Sequence, residues 1–214
     1  MLIIFNNKVN SQTHGGVEQY YYSGSQGTST IVPRVYYQNK KNWYAEVRYN
    51  YDEVGTLSVN AGKTFSKKGT VSYTITPVAG VVAGRLNGAS LGVNAELDYK
   101  NLFFSSESQY TFSSESRYPD FLFNWSELGY QVTTRIYTGL ALQMTRLYKT
   151  GNICEPGVML GFSFDQFTFP LYAFNPLSDN KYFVLGINWE WQHLKGKDRG
   201  KEIPLLTKAG EPGR

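Results

Sequence analysis

Histidine is scarce in this sequence: its 214 residues contain only His14, near the start, and His193, near the end. Hydrolases that transfer protons at neutral pH depend on a histidine beside a serine or an aspartate. Neither histidine falls inside a predicted strand or in a loop between strands. We therefore expect no histidine-based hydrolase and, more generally, no enzyme.

Cysteine and long apolar runs are almost absent as well. Cys154 is the only cysteine, which excludes an intramolecular disulfide and a multi-cysteine metal site. The longest weakly polar stretch, residues 77–83, is far shorter than the ~20 residues of a membrane helix, and the mean hydropathy is -0.37. No phosphate-binding loop, calcium loop or zinc spacing occurs. The sequence predicts no metal, no cofactor and no spanning helix.

Charge is low and unevenly placed. Charged residues make up 18% of the chain, against roughly 25% in ordinary soluble domains. The net charge is +4, and the six basic and three acidic residues of the tail 193–214 account for +3 of it. The predicted strands carry no basic stripe interleaved with aromatic residues, so we expect no nucleic-acid partner.

The main positive signal is an alternation of apolar and polar residues with a period of two. Trp43, Ala45, Val47, Tyr49 and Tyr51 interleave with Tyr44, Glu46, Arg48 and Asn50. Similar alternation recurs along the chain up to Trp191, with hairpin-sized connections between the segments.

Counting these segments predicts about twelve strands, an even number that is usual for single-chain bacterial barrels. The expected strands begin near residues 17, 28, 43, 56, 70, 89, 102, 120, 135, 157, 167 and 181. The fold class is therefore all-β, a closed antiparallel up-and-down transmembrane β-barrel. We expect residues 1–16 to form a leader or truncated signal region, residues 17–192 the barrel, and residues 193–214 a basic, disordered tail.

Connection length predicts the orientation of the barrel. Every second connection is a tight turn, and the others are longer. Outer-membrane barrels have short periplasmic turns and longer external loops, which places both termini in the periplasm.

A lipid-facing surface is favoured over a soluble core for three reasons. The polar set carries complementary charges that suit a wet lumen, each apolar set matches a 9 to 11 residue crossing, and aromatic residues concentrate near predicted strand ends. Those aromatic residues are Tyr36, Tyr37, Trp43, Tyr49, Tyr51, Phe65, Tyr99, Phe104, Tyr148, Trp189 and Trp191. A soluble lipocalin-like binding barrel, with the apolar set inside, remains the alternative.

Polar residues of the alternating segments are the candidate site. The inward set is Glu46, Arg48, Asn60, Asn94, Glu96, Glu107, Gln109, Asn124, Glu127, Gln143 and Asn188. Pairs at i, i+2, such as Glu46 with Arg48 and Glu96 with Asp98, share a strand face. They form either a charged constriction that selects solutes or a salt-bridged plug. Glu127 breaks the phase of its segment, which predicts a β-bulge at Ser126–Glu127 that turns Glu127 inward.

Several strings give the chain a family likeness: "WYAEVRYNYDE", "NWSELGY", "LALQMTRLY", "FPLYAFNP" and the closing "FVLGINWEW". Over residues 12–191 the chain resembles uncharacterised outer-membrane β-barrel proteins of the Bacteroidota type. The resemblance implies the fold and an outer-membrane location, and it brings no catalytic residues.

The expected function follows from this architecture. We predict a small pore or passive transporter of small polar solutes. The alternatives are a closed structural or ligand-binding barrel and, less favoured, a barrel enzyme. The expected partners are the lipid bilayer and the outer-membrane assembly machinery. The apolar stretch before Asn6 is too short for a secretory signal, so we expect a truncated or mis-assigned start.

Overall fold

β-Strands form most of the chain in the computed structural model, which describes residues 13–24, 29–115, 120–147 and 151–193. In this part of the chain there are thirteen. They are β1 (Thr13–Gly24), β2 (Ser29–Gln38), β3 (Trp43–Tyr49), β4 (Thr56–Lys63), β5 (Phe65–Lys67), β6 (Ser72–Gly84), β7 (Gly88–Tyr99), β8 (Leu102–Ser113), β9 (Phe121–Gln131), β10 (Ile136–Leu147), β11 (Gly151–Phe164), β12 (Phe167–Phe174) and β13 (Tyr182–His193). No helix in these ranges is long and apolar enough to cross a membrane.

The strands form one antiparallel sheet that closes on itself. Neighbours in sequence pair with one another, and β1 pairs with β13 from Thr13 opposite His193 to Gly24 opposite Tyr182. The three-residue β5 follows β4 after Thr64, and both pair with β6, so they share one position in the wall. The predicted closed barrel of about twelve strands is confirmed. Closure leaves no unpaired edge, which a sheet in hydrocarbon requires.

Strand starts agree with the predicted ones except in two places. Strand β1 begins at Thr13, four residues before the predicted barrel boundary, and β11 begins at Gly151, where a loop up to residue 156 was expected. Strand β11 therefore contains Cys154, which is exposed, and Pro156. The predicted leader up to residue 12 and the tail from residue 194 lie outside the described residues.

The two faces of the wall differ sharply in polarity. In β3, Glu46 and Arg48 are 2% and 1% exposed, whereas Val47 between them is 42% exposed. Large outward-facing apolar side chains recur around the barrel, such as Leu140 and Val81, which are about 60% exposed. An apolar exterior around a polar interior is the arrangement of a membrane barrel. The soluble lipocalin-like alternative, which needs the apolar set inside, is wrong.

The barrel has two distinct ends. At the end where β1 begins and β13 ends, which we call the termini end, β7–β8 and β11–β12 are joined by two-residue turns whose first residues, Lys100 and Asp165, have positive φ angles of 55° and 53°. The opposite end, called the loop end, carries longer connections, including residues 50–55 and 175–181. The assignment of the termini end to the periplasm stays a prediction.

Candidate functional site

A buried ion-pair network occupies the lumen beside β2 and β3. Arg34 donates from Nε to Glu46 Oε2 at 3.0 Å and from Nη1 to Glu18 Oε2 at 3.2 Å, and it also contacts Glu107 of β8. Arg48 Nη2 lies 2.7 Å from Glu46 Oε1. Because Arg34 and Arg48 are directly opposite each other on neighbouring strands, the carboxylates between them offset their repulsion.

Neutral donors complete the coordination of Glu46. The Tyr44 hydroxyl donates to Oε2 at 2.7 Å, and Asn60 Nδ2 donates to Oε1 at 3.2 Å. The side chain of Glu46 has no exposed surface. A buried carboxylate is tolerated only when its oxygens are paired in this way.

The loop between β3 and β4, residues 50–55, folds into the lumen. The Tyr51 hydroxyl donates to Glu107 Oε2 at 2.9 Å, and the Tyr51 ring lies 4.2 Å from the Arg48 guanidinium carbon and 4.8 Å from the Phe123 ring. Asn50 holds the loop's base, because its Oδ1 accepts from Gly55 N at 2.7 Å. The loop thus reaches from β3 across to β8 and β9.

Asp52 anchors the tip of this loop. Its Oδ1 accepts hydrogen bonds from Gln109 Nε2 and, at 3.2 Å, from Thr111 Oγ1. Its Oδ2 is buried and has no hydrogen-bond partner in the described part of the chain. Burial raises the pKa of the Asp52 carboxyl above its ordinary value.

Aromatic side chains line the opposite wall, from β9 to β13 and β1. The Trp125 ring lies 5.0 Å from the Tyr172 ring and 5.1 Å from the Phe174 ring. Trp125 Nε1 and the Tyr172 hydroxyl both donate to Glu127 Oε1 at 2.7 Å. The rings therefore fill this half of the lumen and hold a carboxylate among them.

Between the two walls lies a cavity of about 190 Å³. Glu18, Arg34 and Glu107 of the ion-pair network border it on one side. Trp125 and Glu127 border it on the other. The lumen is thus packed at its walls and hollow between them.

Ten of the eleven predicted inward residues face the lumen. The structure brings Glu46, Arg48, Asn60 and Glu107 into one network. Gln109 binds Asp52, and the Tyr182 hydroxyl donates to Gln143 Oε1 at 3.4 Å. The remaining four, Asn94, Glu96, Glu127 and Asn188, border the cavity.

The inward placement of Asn124 is wrong. Its Nδ2 donates to Ser106 and Ser108 at 3.1 Å and 2.8 Å, on the outward face of β8 and β9. The predicted bulge at Ser126–Glu127 is also absent, because β9 pairs with β8 and β10 without interruption. The reason is that Phe121, Phe123 and Trp125 pack inside the barrel while Leu128 and Tyr130 face outward, so the change of polarity along β9 involves no change of phase.

Two aromatic residues assigned to the interfaces are also placed differently. The Tyr36 ring stacks on Tyr44, with centroids 6.2 Å apart, inside the barrel, and Tyr51 enters the lumen with its loop. Sequence reasoning did not assign Glu18, Arg34 or Tyr20 to the lumen. The sequence did contain a signal for the inward placement of Arg34, because Arg34 alternates along β2 with Val35 and Tyr37, which face outward.

The described part of the chain holds no group of three His, Cys, Asp or Glu side chains arranged to bind a metal.

Comparisons with known proteins identify the fold. No protein-family profile and no curated protein match the chain. Among solved structures, the KdgM porin in complex with disordered oligogalacturonate matches 81% of this chain and 98% of its own, with a TM-score of 0.59 and 12% identity. The NanC porin matches 84% and 100%, with a TM-score of 0.56 and 12% identity.

These similarities define a class. The chain has the closed antiparallel β-barrel fold of these outer-membrane porins. At 12% identity, the likeness concerns the fold alone. The narrower resemblance to a Bacteroidota-type family stays a prediction.

Proposed function

We propose that this chain is a porin-like channel of the outer membrane that passes small polar solutes through its lumen. The cavity between the ion-pair network and the aromatic wall carries this proposal. Barrels of about eight strands are filled by their own side chains, whereas those of 16 to 18 strands leave a wide aqueous channel. A barrel whose wall is twelve strands around, as here, lies between these limits and suits a narrow passage.

The lining of the cavity supports polar solutes. It combines carboxylates and amides, such as Glu96 and Asn94, with the rings of Tyr20 and Trp125. Solutes bind such surfaces through hydrogen bonds to the polar groups and contact with the rings. In this proposal the chain lies in the lipid bilayer after insertion by the outer-membrane assembly machinery, and it catalyses no reaction.

One observation favours a second candidate, a closed structural or ligand-binding barrel. Beside β3 and β4 the lumen is filled, because Glu46, Arg48 and Asn60 are at most 2% exposed. Tyr51 adds a plug-like contact by joining Arg48 to Phe123 across the lumen. A barrel sealed in this way would fold into lipid without conducting.

Conductance across a planar lipid bilayer distinguishes the two functions. The refolded parent is compared with Tyr51→Ala, which removes the ring that joins the two walls, and with Glu53→Gln, which alters an exposed residue of the same loop. A channel gives stable single-channel steps that are larger in Tyr51→Ala and unchanged in Glu53→Gln. Absence of steps in the parent and in Tyr51→Ala would contradict the channel and support the closed barrel.

A further inference from the structure

The lumen has a pronounced excess of negative charge. Among the described strand residues, eight inward-facing carboxylates accompany only two inward-facing cations, Arg34 and Arg48. The surplus of six acidic over basic side chains is a property of the interior, because the lysines of the described segments lie at the strand ends and turns of the termini end and at Lys181 near the loop end. A low-dielectric wall concentrates the field of such charges within the passage.

Both lumen cations are already engaged. Arg34 binds Glu18, Glu46 and Glu107, and Arg48 shares the last two. The network therefore has three carboxylates for two guanidinium groups. Neither arginine is available to attract an anionic solute.

The other five inward carboxylates make no ion pair with any described residue: Glu96, Asp98, Glu127, Glu155 and Glu190. Glu127 accepts hydrogen bonds from Trp125 and Tyr172, and Glu155 accepts one from Tyr182. All three donors are neutral. No basic side chain of the described residues therefore pairs with these carboxylates.

Two of these carboxylates face the cavity from one cross-strand row. Glu96 is opposite Ser105, which is opposite Glu127, so the two acids are two strands apart with a small side chain between them. Two strand spacings separate their backbones by about 10 Å. The rings of Trp125 and Tyr172 stand beside Glu127, and aromatic faces attract organic cations.

Resting on the proposed channel function, we infer that the passage favours positively charged solutes, small organic ammonium ions in particular, over anions. The KdgM porin was solved with oligogalacturonate, whose sugar units carry carboxylates. An anion of that kind would be repelled by the unpaired acids of this lumen.

Reversal potentials in a KCl gradient test this inference. For the parent the dilute side becomes positive, because K⁺ permeates faster than Cl⁻. In Glu96→Gln/Asp98→Asn the permeability ratio of K⁺ to Cl⁻ falls toward one. The control Glu53→Gln, which removes an exposed carboxylate from the loop between β3 and β4, keeps the ratio of the parent.

Replacing K⁺ by tetramethylammonium on one side of the bilayer tests whether the passage conducts an organic ammonium ion. The expected result is a tetramethylammonium current that exceeds the chloride current and falls in Glu127→Gln. Steps with a preference for chloride, or with no dependence on Glu96 and Asp98, would overturn the inference and leave the channel intact. A complete lack of steps would overturn the channel itself and this inference with it.

Discussion

Glu46 is the carboxylate on which both buried guanidinium groups converge. It contacts Arg34 at 2.9 Å and Arg48 at 2.7 Å, and the three side chains are 0%, 10% and 1% exposed. Glu46→Gln would leave two guanidinium groups opposite each other with Glu107 as their shared counter-charge. Removing one partner of a buried ion pair costs about 3–5 kcal/mol. Because Glu107 contacts both arginines, we expect a loss near the lower value.

Urea unfolding of the protein refolded into lipid vesicles, followed by tryptophan fluorescence, measures this loss. Glu53→Gln is the matched control, since its ion pair with Arg85 spans 3.9 Å between two exposed side chains. Surface pairs of that kind contribute about 0–1 kcal/mol. If Glu46→Gln lowered the free energy of unfolding no more than Glu53→Gln does, the network would not be desolvated and the reasoning would fail.

Three further predictions concern the loop, the close strand contacts and the outer face. Asp52→Asn weakens the pH dependence of conductance. Burial raises the pKa of Asp52, so protonation stabilises the inserted loop at acid pH, and this stabilisation is lost as pH rises through the raised pKa. Single-channel recordings between acid and neutral pH check it, and equal pH profiles would contradict it. Gly80→Ala lowers stability by about 1–3 kcal/mol, because a Cβ there would lie 2.0 Å from Asn60 Oδ1 and 2.3 Å from a backbone carbonyl oxygen; a urea midpoint equal to that of the parent would refute it. Asn124→Leu leaves conductance and ion selectivity unchanged, since Asn124 faces outward. A changed ion selectivity would show instead that Asn124 faces the lumen.

Local alternation determined much of this protein. A strand places successive side chains on opposite faces, so a run such as Trp43 to Tyr49 specifies its two faces without reference to any other part of the chain. Most strand starts, and the separation of Glu46, Arg48 and Glu96 from the apolar set of their strands, follow from it. Closure also follows in general terms, because an open edge has no partner in hydrocarbon.

Only the tertiary structure decided what meets across the lumen. Arg34 and Glu107 are 73 residues apart, and Tyr51 and Glu107 are 56 apart. The alternation of residues along the chain carries no information on which side chains meet across the barrel. The tertiary structure also decided the face of β9: polarity alone placed Trp125 toward lipid and Asn124 inside, whereas aromatic packing against Tyr172 and Phe174 turns Trp125 inward. Alternation reveals that two faces differ, but the curvature and closure of the sheet determine which face is enclosed and which side chains fill it.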